Sequence, residues 1–289
     1  MTTPAPLLKA ALWAVGSAAA FAASSAAAKF LGQKLPTAEL AFFRAAFGVL
    51  LLIGVWRFVS DLGKARDPRG YAIRCGLGVI ALYSLMYAFT AIPLALASLI
   101  FFTRVLLLPI TARLMLGERS GTAVWIAVVI GFVGAALPLW SALALPEQRW
   151  GVIAALVASV ASAGSQTAVR RLTATNSAEL IVLIYTAVSV AATLPVAVPV
   201  WVSPPVADWP VLVVLGLCAV VAQLTAARAF ALAPVGFLAP FDFLTVPAGA
   251  ALGYLLFSEV PSGLVLAGSV ITLAAAAVVT SGAWRASSA

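Results

Sequence analysis

The chain has 289 residues, of which 64% are hydrophobic and 9% charged. A soluble domain is excluded, because it needs about a quarter of its residues charged to wet its surface. A nucleic-acid-binding face is excluded too: the net charge of +8 sits mainly in short connectors between apolar runs, as at Arg57, Lys64, Arg66, Arg69 and Arg74.

The apolar runs are continuous rather than alternating, which rules out a β-barrel, and about 20 residues take a helix across the hydrocarbon. The first such run covers about 7–29 and carries Trp13, Ser17, Ser24 and Ser25. Lys9 and the small residues Ala26-Ala27-Ala28 give it the look of a signal peptide, but it has a counterpart in the second half of the chain, so a retained helix is expected. After Gln33-Lys34-Leu35-Pro36 come runs over about 38–59, 71–92 and 94–115, the last two separated by Ile92-Pro93. A fifth covers about 121–140, and five more follow over about 150–170, 179–202, 209–231, 235–257 and 261–284. Connectors hold the breakers, among them Pro146-Glu147-Gln148-Arg149 and Ser203-Pro204-Pro205. Cys75 and Cys218 lie inside apolar runs as packing residues, not as a disulfide framework or a metal site. Histidine, the usual proton shuttle and metal ligand, is absent. No cofactor is expected.

Residues n and n+141 match in consistent order: Ser24 with Ser165, Lys29 with Arg170, Ala88-Phe89 with Ala229-Phe230, Pro93 with Pro234, and Glu118 with Glu259. The expected fold is therefore an all-α membrane protein of ten transmembrane helices. They form two five-helix repeats, 1–145 and 146–289. An odd number of helices per repeat makes the second copy enter from the opposite side, so the repeats are inverted and substrate belongs near mid-membrane between them. The Lys/Arg count places both termini in the cytoplasm of an inner membrane.

Charges inside spans are costly and face a cavity or a partner. Arg104 lies near the middle of the fourth span, where it can bind substrate or brace helices. Arg44 and Arg228 lie nearer span ends, where snorkelling competes with function. Asp242 in the ninth span is a candidate for proton coupling, or for an ion pair with Arg228 or Arg104. Tyr83 and Tyr87 share a helix face and, with Phe101 and Phe102, are candidate cavity residues. Ser24, and Ser162, Ser165 and Gln166 on the counterpart helix, can contact ligand or pack helices closely. Glu118 and Glu259, at helix ends, read as braces, and Glu39 and Glu179 complement helix dipoles.

Ala28-Lys29-Phe30, Phe42-Phe43-Arg44, Ala91-Ile92-Pro93-Leu94-Ala95 and Leu116-Gly117-Glu118-Arg119 resemble the drug/metabolite transporter superfamily, in its EamA-type branch of ten-helix carriers. Ala239-Pro240-Phe241-Asp242-Phe243 and Gly253-Tyr254-Leu255-Leu256-Phe257-Ser258-Glu259 extend the resemblance through the second half. It implies inverted five-helix repeats, cytoplasmic termini and transport driven by protons or by exchange against a counter-substrate. The branch includes exporters of amino acids and metallophores and importers of vitamins and nucleotide-like metabolites. This chain departs from it at Arg104-Val105, where a proline is usual, and at Ser258, where a glycine usually precedes the glutamate.

The expected function is secondary transport. More arginines than acids within the spans favour a carboxylate-bearing metabolite, with export of an amino-acid-like or opine/metallophore-type compound ahead of vitamin or nucleotide-like uptake. A channel and a membrane-embedded enzyme are the rival classes; no nucleotide-binding loop marks a primary pump.

Overall fold

The structure, a computed structural model, describes residues 4–53, 63, 65–117, 122, 125, 126, 129–134, 136, 145–233, 238, 241, 244–271 and 274. The regular elements bounded within them are all helical: α1 (Pro4–Leu31), α2 (Thr37–Ile53), α3 (Pro68–Ala91), α4 (Leu94–Phe102), α5 (Arg104–Leu116), α6 (Pro146–Leu172), α7 (Ala178–Ala197), α8 (Trp209–Leu232) and α9 (Thr245–Phe257), with short 3-10 turns at Val198–Val200 and Val206–Asp208. Six segments among the described residues are long and apolar enough to cross a membrane, and the chain is a multi-pass membrane protein. The expected spans over about 121–140 and 261–284 lie partly outside the described residues.

The starts are written locally. Asp67 caps α3, its carboxylate accepting the Gly70 amide at 3.0 Å, and Pro68 takes the first turn where its missing N–H costs nothing. Ser177 caps α7 by accepting from the Leu180 amide at 3.3 Å.

The expected spans over about 94–115 and 179–202 are found at Leu94–Leu116 and Ala178–Val200, each with a local irregularity. The helix expected over about 94–115 is interrupted at Thr103. There the amide turns back to Ile100 O at 3.2 Å and the hydroxyl takes the same carbonyl at 2.6 Å, tightening the turn. The helix expected to reach 202 stops at Ala197 and passes into a 3-10 turn containing Pro199, which has no N–H for the ladder. The Val202 amide then donates to the buried Glu39 carboxylate.

Helix boundaries recur at 141 residues. Leu31 and Leu172 end α1 and α6, and Thr37 and Ala178 begin α2 and α7. The bounds of α3 and α8 share the same offset, as do those of α5 and α9. Packing follows suit: α1 lies along α8, and α3 along α6. On α1 the contact is small, with Ala10, Ala14, Ala18, Ala22 and Ala26 all buried at four-residue spacing. Ser17 and Ser24 donate to Ala222 O and Leu215 O on α8, each at 2.8 Å.

Polar ties close both ends of the bundle. At one end Lys29 pairs with Glu259 at 2.7 Å and Lys34 with Asp208 at 2.7 Å, beside the aromatic cluster of Phe42, Phe43, Phe47, Trp201 and Trp209. At the other, Asp67 takes Arg171 through two bonds of 2.5 and 3.0 Å, and Glu179 takes Arg228 at 2.6 Å.

Gly117 ends α5 with φ 71°, and its equivalent Ser258 ends α9 with φ 55°. That left-handed conformation costs a residue with a Cβ roughly 1–2 kcal/mol, part of which glycine gives back through its freer unfolded chain. Ser258→Gly is therefore expected to stabilise the protein by about 0.5–1 kcal/mol, read as a higher melting temperature in detergent. An unchanged or lower value would mean that the serine side chain contributes there.

Candidate functional site

Between the two ends lies a cavity of about 100 Å³. α1 contributes Ser17 and Phe21, α2 Arg44, α3 Arg74 and Gly78, and α4 and α5 supply Phe101 and Arg104 on either side of the Thr103 break. α6 adds Ser162, Ser165 and Gln166, α7 Tyr185, and α8 Gln223. Val169, Ile181 and Phe230 carry the cavity toward the end held by Asp67 and Arg171.

Three guanidinium groups thus share one cavity, and no described lining residue is acidic. Each arginine at membrane depth costs about 2.5–3.5 kcal/mol to insert. Together they cost about as much as the whole net stability of a domain. Leucines would serve packing without that cost, so the arrangement fits anion recognition.

Arg74 is the most firmly held. Its guanidinium donates to Ser165 Oγ at 2.6 Å and to Gln223 Oε1 at 2.5 Å, and lies 3.8 Å over the centre of the Tyr185 ring. Tyr185 is fixed in turn by donating to Gly78 O at 3.2 Å. A Cβ on Gly78 would meet the Tyr185 ring at 2.4 Å, so only glycine lets that ring lie flat on α3. Arg44 lies against the Tyr185 side chain from α2, and its Nε is buried without a partner. Arg104 lies 4.4 and 4.6 Å from the ring centres of Phe101 and Phe102, and donates to Ser162 Oγ at 3.2 Å.

Of the residues expected from the sequence, Arg104, Arg44, Ser165 and Gln166 line the cavity, and the Gln166 carbonyl is buried there without a partner. Phe102 stands behind, stacked on Arg104. The others are placed elsewhere. Tyr87 is 41% exposed, pointing out of the bundle, and Tyr83 donates to Thr193 O outside the cavity. A shared helix face does not say which neighbour it meets. Ser24 is spent on the α8 backbone. Arg228 pairs with Glu179 and lies 5.2 Å from the Trp13 ring, an end brace rather than a cavity residue. Glu259 ties Lys29 to the start of α4, accepting from the Leu94 amide at 2.9 Å. Asp242 and Glu118 lie outside the described residues.

Arg74, Tyr185 and Gln223 were not singled out by sequence. Arg74 reads as one more connector arginine, yet it stands seven residues into α3. Its position inside the apolar run from residue 71, and a glutamine in the middle of α8, were the available signals.

Arg171 beside Asp67 holds that carboxyl below the usual carboxylate range, helped by the Gly70 amide. A depressed folded pKa gives stability that is full above the unfolded value, about 3.9, and is lost as pH falls through the folded one. Melting temperatures of the protein and of Asp67→Asn should therefore differ at pH 7 and converge below about pH 4. A gap that persists in acid would assign the effect to the αL geometry of residue 67 instead.

Residues 8–140 match the model of the EamA-like transporter family. The pseudopaline exporter of Pseudomonas aeruginosa is 29% identical over 268 residues, 91% of this chain and 93% of that protein. A riboflavin transporter of Rhizobium johnstonii is 27% identical, over 94% of this chain and 91% of that one. An S-adenosylmethionine uptake transporter of Rickettsia felis is 27% identical, over 91% and 89%. One crystal structure shares the fold with a TM-score of 0.72 over 98% of this chain and 99% of its own, at 22% identity. Relatives named as transporters throughout fit a chain that is not an enzyme.

Proposed function

Starting from a chain that belongs to the drug/metabolite transporter superfamily and is a transporter, we propose that it exports a small carboxylate-bearing metabolite of amino-acid-like or opine/metallophore type across the inner membrane. The observation that carries this is the convergence of Arg44, Arg74 and Arg104 on one cavity. A guanidinium stays charged and offers a planar fork of donors matched to a carboxylate. The faces of Tyr185 and Phe101 already carry guanidinium groups, which leaves less room for a stacked flavin or adenine. That favours the carboxylate reading over vitamin or nucleotide-like uptake.

The architecture proposed with it is ten spans in two inverted repeats, 1–145 and 146–289, with both termini cytoplasmic. The 141-residue recurrence of helix bounds and the exchange-related pairings of α1 with α8 and α3 with α6 support it. In that orientation the cavity leans toward the cytoplasm, the loading side of an exporter. Asp242 is proposed to couple transport to protons or to hold an arginine in place.

Counterflow in proteoliposomes tests the class. A carrier preloaded with unlabelled carboxylated metabolite accumulates labelled metabolite transiently, whereas a pore only dissipates the gradient. Everted membrane vesicles should accumulate the metabolite and right-side-out vesicles should not; the reverse pattern would establish uptake.

A further inference from the structure

We infer that Arg44, Tyr185 and Arg74 form a subsite for a dianionic dicarboxylate head group, so that the substrate brings two carboxylates to this part of the cavity. The inference rests on the carboxylate reading above and deepens it.

Two cations here are held by neutral groups alone. The partners of Arg74 are a serine hydroxyl, a glutamine carbonyl and the face of a tyrosine. Arg44 has Tyr185, and the Nε atoms of both arginines are buried without an acceptor. Four cations elsewhere in the described protein have acids beside them, Lys29 with Glu259, Lys34 with Asp208, Arg171 with Asp67 and Arg228 with Glu179, while Arg170 bonds to the Phe230 carbonyl. The contrast lies inside the cavity, where uncompensated charge is most costly. Two like charges that repel each other and face no carboxylate among the described residues are complementary to a ligand of charge −2. One carboxylate would leave a cation uncompensated.

Tyr185 touches both arginines. Arg74 lies over its ring face, while Arg44 reaches its side chain from α2. Both arginines and Tyr185 line the main cavity. Two planar forks, one on α2 and one on α3, suit two carboxylates at the ends of a short chain.

Purified protein in nanodiscs, titrated with succinate, monomethyl succinate and inorganic phosphate, tests this. Monomethyl succinate keeps the skeleton and removes one charge. Succinate should bind at least about 30-fold more tightly than the monoester, and phosphate should not displace it. Arg44→Gln should abolish that preference, bringing succinate down to the affinity of the monoester. An unchanged melting temperature in detergent shows that the variant is folded. Equal binding of succinate and monoester by the unaltered protein would overturn the dianion subsite while leaving carboxylate transport standing. Tighter binding of phosphate would overturn it in favour of a phosphate site. If no carboxylate binds and counterflow is absent, the underlying reading fails as well.

Discussion

Arg74→Gln is expected to weaken carboxylate substrate binding by two orders of magnitude or more, with normal folding. Removing one partner of a buried, hydrogen-bonded charge pair costs about 2–5 kcal/mol, or roughly 30-fold to several thousand-fold. Here that loss falls on the ligand, since Ser165 and Gln223 are neutral and glutamine can still bond to them. Arg74→Lys keeps the charge but loses the fork that reaches both groups at once, so a loss of about tenfold is expected. Tyr185→Phe keeps the ring under the Arg74 guanidinium but removes the hydroxyl that bonds to Gly78 O and meets Arg44, and should weaken binding less than Arg74→Gln. The series is read by thermal shift and counterflow. Wild-type affinity in Arg74→Gln would remove this arginine from the site.

The second large effect is on stability. Glu259→Gln leaves the Lys29 ammonium, 10% exposed, without its counter-charge. Breaking a fully buried pair costs about 3–5 kcal/mol. Glu259 is 22% exposed, so the expected loss is nearer 2 kcal/mol after solvent screening. The bond from the Leu94 amide survives, because glutamine keeps a carbonyl. Lys29→Met combined with Glu259→Gln should recover part of the loss, since the cost comes from the unpaired charge rather than from the missing bond. Melting temperature in detergent reports it, and transport per folded molecule should stay near normal. A double variant no better than the single would show that Lys29 serves through its bond to Ile92 O, 2.9 Å away.

The helical membrane architecture was legible because hydropathy and helix length are local properties. Charge placement along one helix was legible too, which is why Arg104 and Arg44 could be singled out. What fails to reach the sequence is which helix stands opposite. Arg228 has a carboxylate partner, but it is Glu179 at the start of α7, a residue whose local role reads as complementing a dipole. Tyr83 and Tyr87 share a face, yet one meets the α7 backbone and the other is exposed. Arg74 enters the cavity because α3 begins at Pro68 and lies along α6, which brings Ser165 to it. The interruption at Thr103 was missed because a threonine hydroxyl turned onto its own helix leaves no mark in an apolar run.

The buried alanines of α1 have a mechanical consequence. Alanine has no side-chain torsion to reset, so a surface of methyl groups offers α8 no interlocking knobs and no rotamers that must change before one helix shifts along the other. Resistance to sliding then falls on directional ties, those of Ser17 and Ser24 to the α8 backbone and that of Arg228 to the Trp13 ring. The seam is a smooth bearing with a few detents, two hydroxyl groups and one guanidinium on an indole.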